Sequence, residues 1–139
     1  MVVLIDTNVI LDFLITREPF YRASLEILRK CAMKELTGCI AFHSIPNLWY
    51  ILRKTPENKR REWMSDICSF LEVVGANHKE VVNAIQNKNF KDFEDCLQDK
   101  CAITAGAEYI ITRNPLDFEY SQIPAIQPED FLERFESKN

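Results

Sequence analysis

The stretch that decides the fold is residues 2–14, VVLIDTNVILDFL. Its first four residues are apolar and mostly β-branched, which is typical of a strand that is covered on both faces of a parallel sheet. From Asn8 onward the apolar residues recur at helical spacing. Asp6 and Thr7 stand between the two patterns. The stretch therefore predicts a buried strand that ends at a carboxylate and passes directly into a helix.

Strand and helix patterns alternate along the rest of the chain. After residues 2–5, strands are predicted at 38–43, 71–75, 108–112 and 124–127. The helices between them are marked by Pro19, Ser44, Pro56, Asp92 and Pro128 at or near their first turns. This alternation predicts one α/β domain over residues 1–139, a three-layer α/β/α sandwich around a mostly parallel sheet of four to five strands.

Composition excludes several classes of protein. No apolar run approaches the roughly 20 residues that cross a bilayer, and no signal peptide is evident, so we expect a cytoplasmic protein with no membrane contact. The five cysteines are odd in number and never spaced CxxC, which disfavours a zinc site or a disulfide framework. With three glycines in total, the chain has neither a dinucleotide-binding turn nor a P-loop.

Several aspartates are predicted to meet at one edge of the sheet. Asp6 and Asp117 follow predicted strands, and Asp95 lies in the first turn of a helix with Asp99 one turn further on. Ligands of open α/β sheets bind beyond the carboxyl ends of the strands. Each aspartate also has a structural interpretation: Asp6 as a helix cap, Asp95 in a capping box with Asp92, and Asp117 as a turn former.

Considered together, the aspartates favour a metal site. Carboxylates gathered at one edge repel each other unless a cation neutralises them, and Mg²⁺ and Mn²⁺ take oxygen ligands from a few carboxylates and water. Such ions polarise phosphate groups and activate water. The two histidines, His43 and His78, have neither metal-ligand nor triad spacing. An acid-pocket phosphatase or a phosphoreceiver also begins with a strand and an Asp, but Asn8 stands where the phosphatase usually has a second Asp.

Three segments resemble the signatures of the PIN domain family: DTNVILDFL at 6–14, DFEDCLQDKCA at 92–102 and ITRNPLDF at 111–118. The resemblance implies a Mg²⁺- or Mn²⁺-dependent ribonuclease acting on single-stranded RNA, of the VapC type found as the toxin of toxin–antitoxin pairs. It implies metal ligation by Asp6, Asp95 and Asp117, with Asn114 completing the catalytic set. The supporting residues are Thr7, Asn8 and Thr112, with Asp92 and Asp99 in second place.

One position departs from the family pattern. The family usually supplies a Glu in the helix after the second strand, where this chain has Asn47. An amide can ligate through its oxygen but carries no charge and cannot act as a base. Asn47 can equally be a residue of the first helical turn. The departure supports an alternative function, a catalytically weakened PIN module that binds RNA or a protein partner.

Basic residues suggest where an RNA backbone would bind. The segment RKTPENKRR at 53–61 has five basic residues and one acid. The candidate phosphate-binding residues are Arg53, Lys54, Lys59, Arg60, Arg61, Lys88, Lys91 and Arg113. Trp49, Tyr50 and Trp63 are candidates for base stacking or for the core. The resemblance further implies a small antitoxin partner and a homodimer, for which the apolar helix NLWYIL at 47–52 is the candidate face.

Overall fold

The structure is a computed structural model that describes residues 1–138, with side chains described to residue 136. Its sheet has five strands in the order β3-β2-β1-β4-β5, and every neighbouring pair is parallel. The strands are Val2–Ile5 (β1), Thr37–Ala41 (β2), Glu72–Val74 (β3), Tyr109–Ile111 (β4) and Ala125–Ile126 (β5). The predicted α/β/α fold with a parallel sheet is confirmed.

Helices cover both faces of the sheet. They are Thr7–Leu14 (α1), Tyr21–Ala32 (α2), Ser44–Ile51 (α3), Glu57–Phe70 (α4), His78–Gln86 (α5), Phe93–Ala105 (α6) and Pro128–Lys138 (α7), with a 3₁₀ helix at Pro115–Phe118. α1 to α4 and α7 contribute to the core on one face, whereas α5 and α6 cover the other. Within residues 1–138, no helix combines the length and apolar character that crossing a bilayer requires.

The central strand β1 serves both cores. Val3 and Ile5 point into the larger core and Leu4 points into the smaller one, and all three are fully buried. This alternation follows from the two-residue repeat of a strand. Burial on both faces explains why the sequence of β1 is continuously apolar.

β1 ends at the point where the order of the strands in the sheet reverses. β2 lies on one side of β1 and β4 on the other, so the crevice at their carboxyl ends is the switch point at which open α/β sheets bind ligands. Asp6 is the first residue beyond β1, and its amide donates to the carbonyl of Ile111 at the end of β4, at 2.9 Å. The fold therefore places Asp6 at the centre of this crevice.

Two predicted helix starts differ from the structure. Ser44 does not cap α3, because its hydroxyl is buried and contacts Thr7 and Gln98, and His43 already has helical backbone angles. Pro19 precedes α2 instead of lying in its first turn, because residues 17–20 form a separate turn with a bond from the amide of Phe20 to the carbonyl of Arg17. Asp92, by contrast, caps α6 as predicted, accepting from the amide of Glu94 at 2.7 Å.

Gly38 packs where no side chain fits. A Cβ atom at this position of β2 would lie 2.5 Å from both Sγ of Cys31 and Cδ2 of Leu71, which are buried. We expect Gly38→Ala to lower the free energy of unfolding by about 1–3 kcal/mol, because overpacking displaces core side chains. Gly75→Ala is the matched control, since nothing lies within 4 Å of its Cβ position. Urea denaturation checks both; equal stability of the two variants would contradict the expectation.

Candidate active site

The candidate site is an open cavity of about 380 Å³ at the carboxyl ends of β1 and β4. Its lining comes from the start of α1, from α3, from the start of α6 and from the segment after β4. Five acidic side chains line it: Asp6, Asp92, Glu94, Asp95 and Asp117. Three amides add neutral oxygens: Asn8, Asn47 and Asn114. The cavity thus concentrates oxygen ligands with an excess of negative charge.

Asp6 is almost fully buried, with 5% of its surface exposed, and two hydrogen bonds fix its carboxylate. Its Oδ1 accepts from the amide of Thr7 at 2.7 Å, and its Oδ2 accepts from the hydroxyl of Thr112 at 2.8 Å. Asp6 is therefore both the cap of α1 and a fixed carboxylate in the cavity. The predicted helix cap is confirmed, and the role of Asp6 as a metal ligand stays a prediction.

The segment after β4 is tied to the same place. The hydroxyl of Thr112 also accepts from the amide of Asn114 at 3.1 Å, and Oδ1 of Asn8 accepts from the amide of Arg113 at 3.4 Å. The carbonyl of Asn114 accepts from the amide of Asp117, which lies in the 3₁₀ helix. These bonds bring Asn114 and Asp117 to the cavity that Asp6 occupies.

Burial and mutual repulsion raise the pKa values of two carboxyl groups of the cavity. Burial raises the pKa of Asp6 to about 6, and the charges of Glu94 and Asp117 add to the effect against the hydrogen bonds from Thr112 and Thr7. Burial, followed by the charges of Asp6, Glu94 and Asp92, raises the pKa of Asp95 to about 8. Burial and the charges of neighbouring acids therefore both favour the protonated forms of Asp6 and Asp95.

Four residues in or next to the cavity were not among the predicted site residues: His43, Ser44, Glu94 and Gln98. Nε2 of His43 lies 3.2 Å from Oε1 of Glu94, which also accepts from the amide of Gln98 at 3.0 Å. Gln98 is fully buried and donates in addition to Ser44 at 2.9 Å and to Thr7 at 3.3 Å. Burial raises the pKa of Glu94, but the contacts with His43 and Gln98 outweigh it, so the pKa is lowered overall.

This geometry agrees with a comparison of the whole sequence with known families. A sequence model of the PIN domain matches residues 2–115, more than three quarters of the chain. The chain belongs to the PIN domain family. It is also 28% identical over 137 residues to ribonuclease VapC1 of Aquifex aeolicus, an alignment that covers 96% of this chain and 94% of that protein.

Solved structures share the PIN fold. The crystal structure of VapBC2 from Rickettsia felis bound to a promoter DNA fragment contains a chain that matches with a TM-score of 0.67 and 17% identity, covering 91% of this chain and 98% of that one. The structure of PAE2754 from Pyrobaculum aerophilum matches with a TM-score of 0.61 and 16% identity, covering 99% of both chains. At these identities the likeness establishes the fold.

Three of the predicted substrate-binding arginines of this PIN domain cover aromatic rings. The guanidinium carbon of Arg60 lies 4.1 Å from the ring centre of Trp49, and Arg61 lies 5.4 Å from the same ring. Arg53 lies 4.3 Å from the ring of Tyr50, which lines the acidic cavity. Arg53 is therefore at the rim of the cavity, whereas Arg60 and Arg61 cover the outside of α3.

The predicted role of Arg113 in phosphate binding does not fit its position. Its Nε lies 2.7 Å from Oδ2 of the fully buried Asp12, and its guanidinium carbon lies 4.5 Å from the ring centre of Phe20. Its side chain lines a separate cavity of about 250 Å³ with Phe20 and Pro128. The buried carboxylate of Asp12 attracts the guanidinium inward, away from the acidic cavity.

The other predicted residues differ in whether they line the acidic cavity. Asp99 does not line the cavity, because it is buried and its carboxylate accepts a hydrogen bond from the hydroxyl of Ser121. Asp92 lines both the cavity and an adjoining one of about 270 Å³, which also contains Lys91 and Tyr120. Lys54, Lys59 and Lys88 are exposed and lie outside the acidic cavity.

The charge of the cavity predicts how stability depends on pH. The raised pKa values of Asp6 and Asp95 mean that the folded chain binds more protons than the unfolded chain between about pH 4 and pH 8, so stability falls as pH rises through that range. We expect the unfolding temperature in EDTA to fall by a few degrees between pH 5.5 and 8.5. Asp95→Asn should flatten this dependence. Thermal unfolding followed by circular dichroism checks both; a pH-independent wild type would contradict the expectation.

Proposed function

We propose that this PIN domain is a ribonuclease that hydrolyses single-stranded RNA with the help of Mg²⁺ or Mn²⁺, as the toxin of a toxin–antitoxin pair. The observation that carries the proposal is the position of Asp6, fixed by Thr7 and Thr112 in a cavity that contains four more acids. The sequence similarity to a protein named ribonuclease VapC1, which extends over nearly the whole chain, supports the same activity.

The residues of the cavity fit a hard divalent cation. Their donors are carboxylate and amide oxygens, which Mg²⁺ and Mn²⁺ prefer. Among the described residues, no three His, Cys, Asp or Glu side chains are grouped closely enough to hold an ion by themselves. This arrangement suits Mg²⁺, which typically binds through one or two carboxylates and keeps several waters. We assign Asp6, Asp95 and Asp117 as the carboxylates that would hold it, with at least one of them binding through a water molecule of the cation.

Each part of the site has a task in hydrolysis. Asp6, Asp95 and Asp117 would hold a cation that, when bound, would polarise the phosphodiester and lower the pKa of water. Asp6 holds its charge in one place because two hydrogen bonds fix the carboxylate. Asn114 offers an amide beside the ligands to orient phosphate or water. Tyr50 and Arg53 at one rim, and Lys91 in the adjoining cavity, are placed to meet the bases and backbone of a single strand.

The proposed partners are RNA, a small antitoxin and a second copy of the chain. Structures of VapBC2 from Rickettsia felis and VapBC-1 from Haemophilus influenzae contain chains of this fold. α3 and its flanking residues expose apolar surface next to the cavity, including Phe42, Tyr50 and Ile51. Such a surface is suited to an interface.

The test is cleavage of end-labelled single-stranded RNA by the purified chain after treatment with EDTA. We expect no cleavage in EDTA, and cleavage when Mg²⁺ or Mn²⁺ is restored. A double-stranded RNA and a single-stranded DNA of the same sequence should be cut poorly. Cleavage that persists in EDTA would overturn the role of the metal.

A second candidate function rests on Asn47. This residue lines the cavity with a neutral amide, where the resemblance to the PIN family implies a carboxylate. If no metal restores cleavage but the chain retains labelled RNA in a filter-binding assay, it is a weakened PIN module that binds RNA.

A further inference from the structure

The cavity lacks an acid on the side of α3. Asn47 is exposed in the first turn of this helix and lines the cavity with a neutral side chain. A cation bound between α1 and α6 would therefore meet no negative charge from α3, which contains no acidic residue. A carboxylate in place of Asn47 would have to come from another element.

Glu94 is the side chain placed to provide it. It lies in the first turn of α6 next to Asp95, lines the same cavity as Asn47 and Asp6, and keeps 35% of its side chain exposed. Its charge also acts on both Asp6 and Asp95. Glu94 therefore belongs to the same electrostatic cluster as the ligands assigned above.

The contacts of Glu94 are more than a helix start requires. An acid in the first turn of a helix complements the macrodipole without any partner. Here Gln98 and His43 both lie against Oε1, from one turn along α6 and from the start of α3. Gln98 in turn contacts Ser44 and Thr7, so the position of Glu94 is fixed relative to α1 as well.

We propose that Glu94 supplies the carboxylate that α3 lacks at Asn47, so that two acids of α6 contribute charge to the cation site, in part through water bound to the cation. The proposal rests on the function proposed above. Asn47 then contributes at most a neutral oxygen, and His43 and Gln98 act as positioning residues that fix Oε1 of Glu94.

The experiment measures the affinity of the full chain for Mn²⁺ by isothermal titration, without RNA. The variants are Glu94→Gln, Asn47→Glu and the two combined. Glu108→Gln is the matched control, because it removes one charge from an exposed residue. Glu108 lies just before β4, at the amino ends of the strands, whereas the cavity lies at their carboxyl ends. Thermal unfolding without metal accompanies each titration.

We expect Glu94→Gln to weaken Mn²⁺ binding by about 10–100-fold and Glu108→Gln to change it by less than about twofold. The combined variant should return to within about threefold of wild type, because Asn47→Glu restores a carboxylate from the other side of the cavity. This rescue cannot come from the stability of α6, since residue 47 lies in α3.

Three outcomes would overturn the proposal. If Glu94→Gln binds Mn²⁺ like wild type, Glu94 is not part of the site although the proposed function stands. If Asn47→Glu does not rescue the combined variant, Glu94 acts through local structure. If wild type itself binds no Mn²⁺, the proposed metal-dependent function fails together with this inference.

Discussion

Replacing Asp6 by Asn should reduce RNA cleavage by at least about a thousand-fold and leave the fold intact. The substitution preserves the shape of the side chain, and an amide oxygen can still accept one of the two hydrogen bonds that Thr7 and Thr112 now donate. What is lost is the charge, which is fixed at the switch point of the sheet and directly available to a cation. Several kcal/mol of transition-state stabilisation depend on that cation, and each 1.4 kcal/mol corresponds to a factor of ten in rate.

Initial rates on labelled RNA and thermal unfolding, measured together, check this expectation. Asp66→Asn is the matched control, since it makes the same change at an exposed position of α4 and should cleave like wild type. Asp6→Asn should unfold at the same or a higher temperature, because it removes a buried charge that neighbouring acids repel. Cleavage by Asp6→Asn at the wild-type rate would show that the activity comes from elsewhere.

Thr112 provides an intermediate case. Its hydroxyl donates to Asp6 and accepts from the amide of Asn114, so Thr112→Val disturbs two parts of the site without removing a charge. We expect cleavage to fall by about 10–100-fold, the usual effect of losing a residue that orients a ligand. The loss should lie in kcat, with the affinity for RNA little changed, and single-turnover kinetics distinguishes the two.

The sheet and its acidic edge could be predicted because the signals are local. β1 is buried on both faces and therefore reads as a continuous apolar run, and a carboxylate at its end can be placed before any tertiary contact is known. Asp92, with its preference for helix caps, likewise located the start of α6. Residues whose role follows from their own segment were therefore predictable.

The partners of these residues could not be predicted because they come from distant segments. Gln98 contacts Thr7 across 91 positions, and in the sequence it is one polar residue in an amphipathic helix. Ser44 looked like a helix cap, but its hydroxyl serves the same buried network. Arg113 looked like a phosphate ligand, because its sequence neighbours gave no sign that Asp12 lies beside it. Tertiary contacts thus override local preference where polar groups are buried.

The ion pair between Asp12 and Arg113 should make a large contribution to the free energy of unfolding of the chain. Asp12 is completely buried in α1, with Nε of Arg113 at 2.7 Å and Nε of Arg17 at 3.6 Å. Burial raises the pKa of Asp12 against the effect of both arginines, so the charge depends on these partners. Removing one partner of a buried pair typically costs about 3–5 kcal/mol, because the other charge stays buried without compensation. We expect the larger loss for Arg113→Met, which leaves the fully buried Asp12 with Arg17 alone, and a smaller one for Asp12→Leu, since the side chain of Arg113 is 23% exposed and can reach solvent.

The combined variant separates stability from catalysis. Replacing both partners by apolar residues removes the uncompensated charge, so Asp12→Leu/Arg113→Met should regain most of the stability that either single change loses. Arg113 immediately precedes Asn114, however, and this segment would then depend on the bonds of its backbone to the side chains of Asn8, Thr112 and Gln127. We therefore expect the combined variant to be stable in urea denaturation but slower in RNA cleavage. A combined variant as unstable as Arg113→Met alone would show that the pair does not act as a unit, and a stable one with full activity would show that the pair serves the fold and not the site.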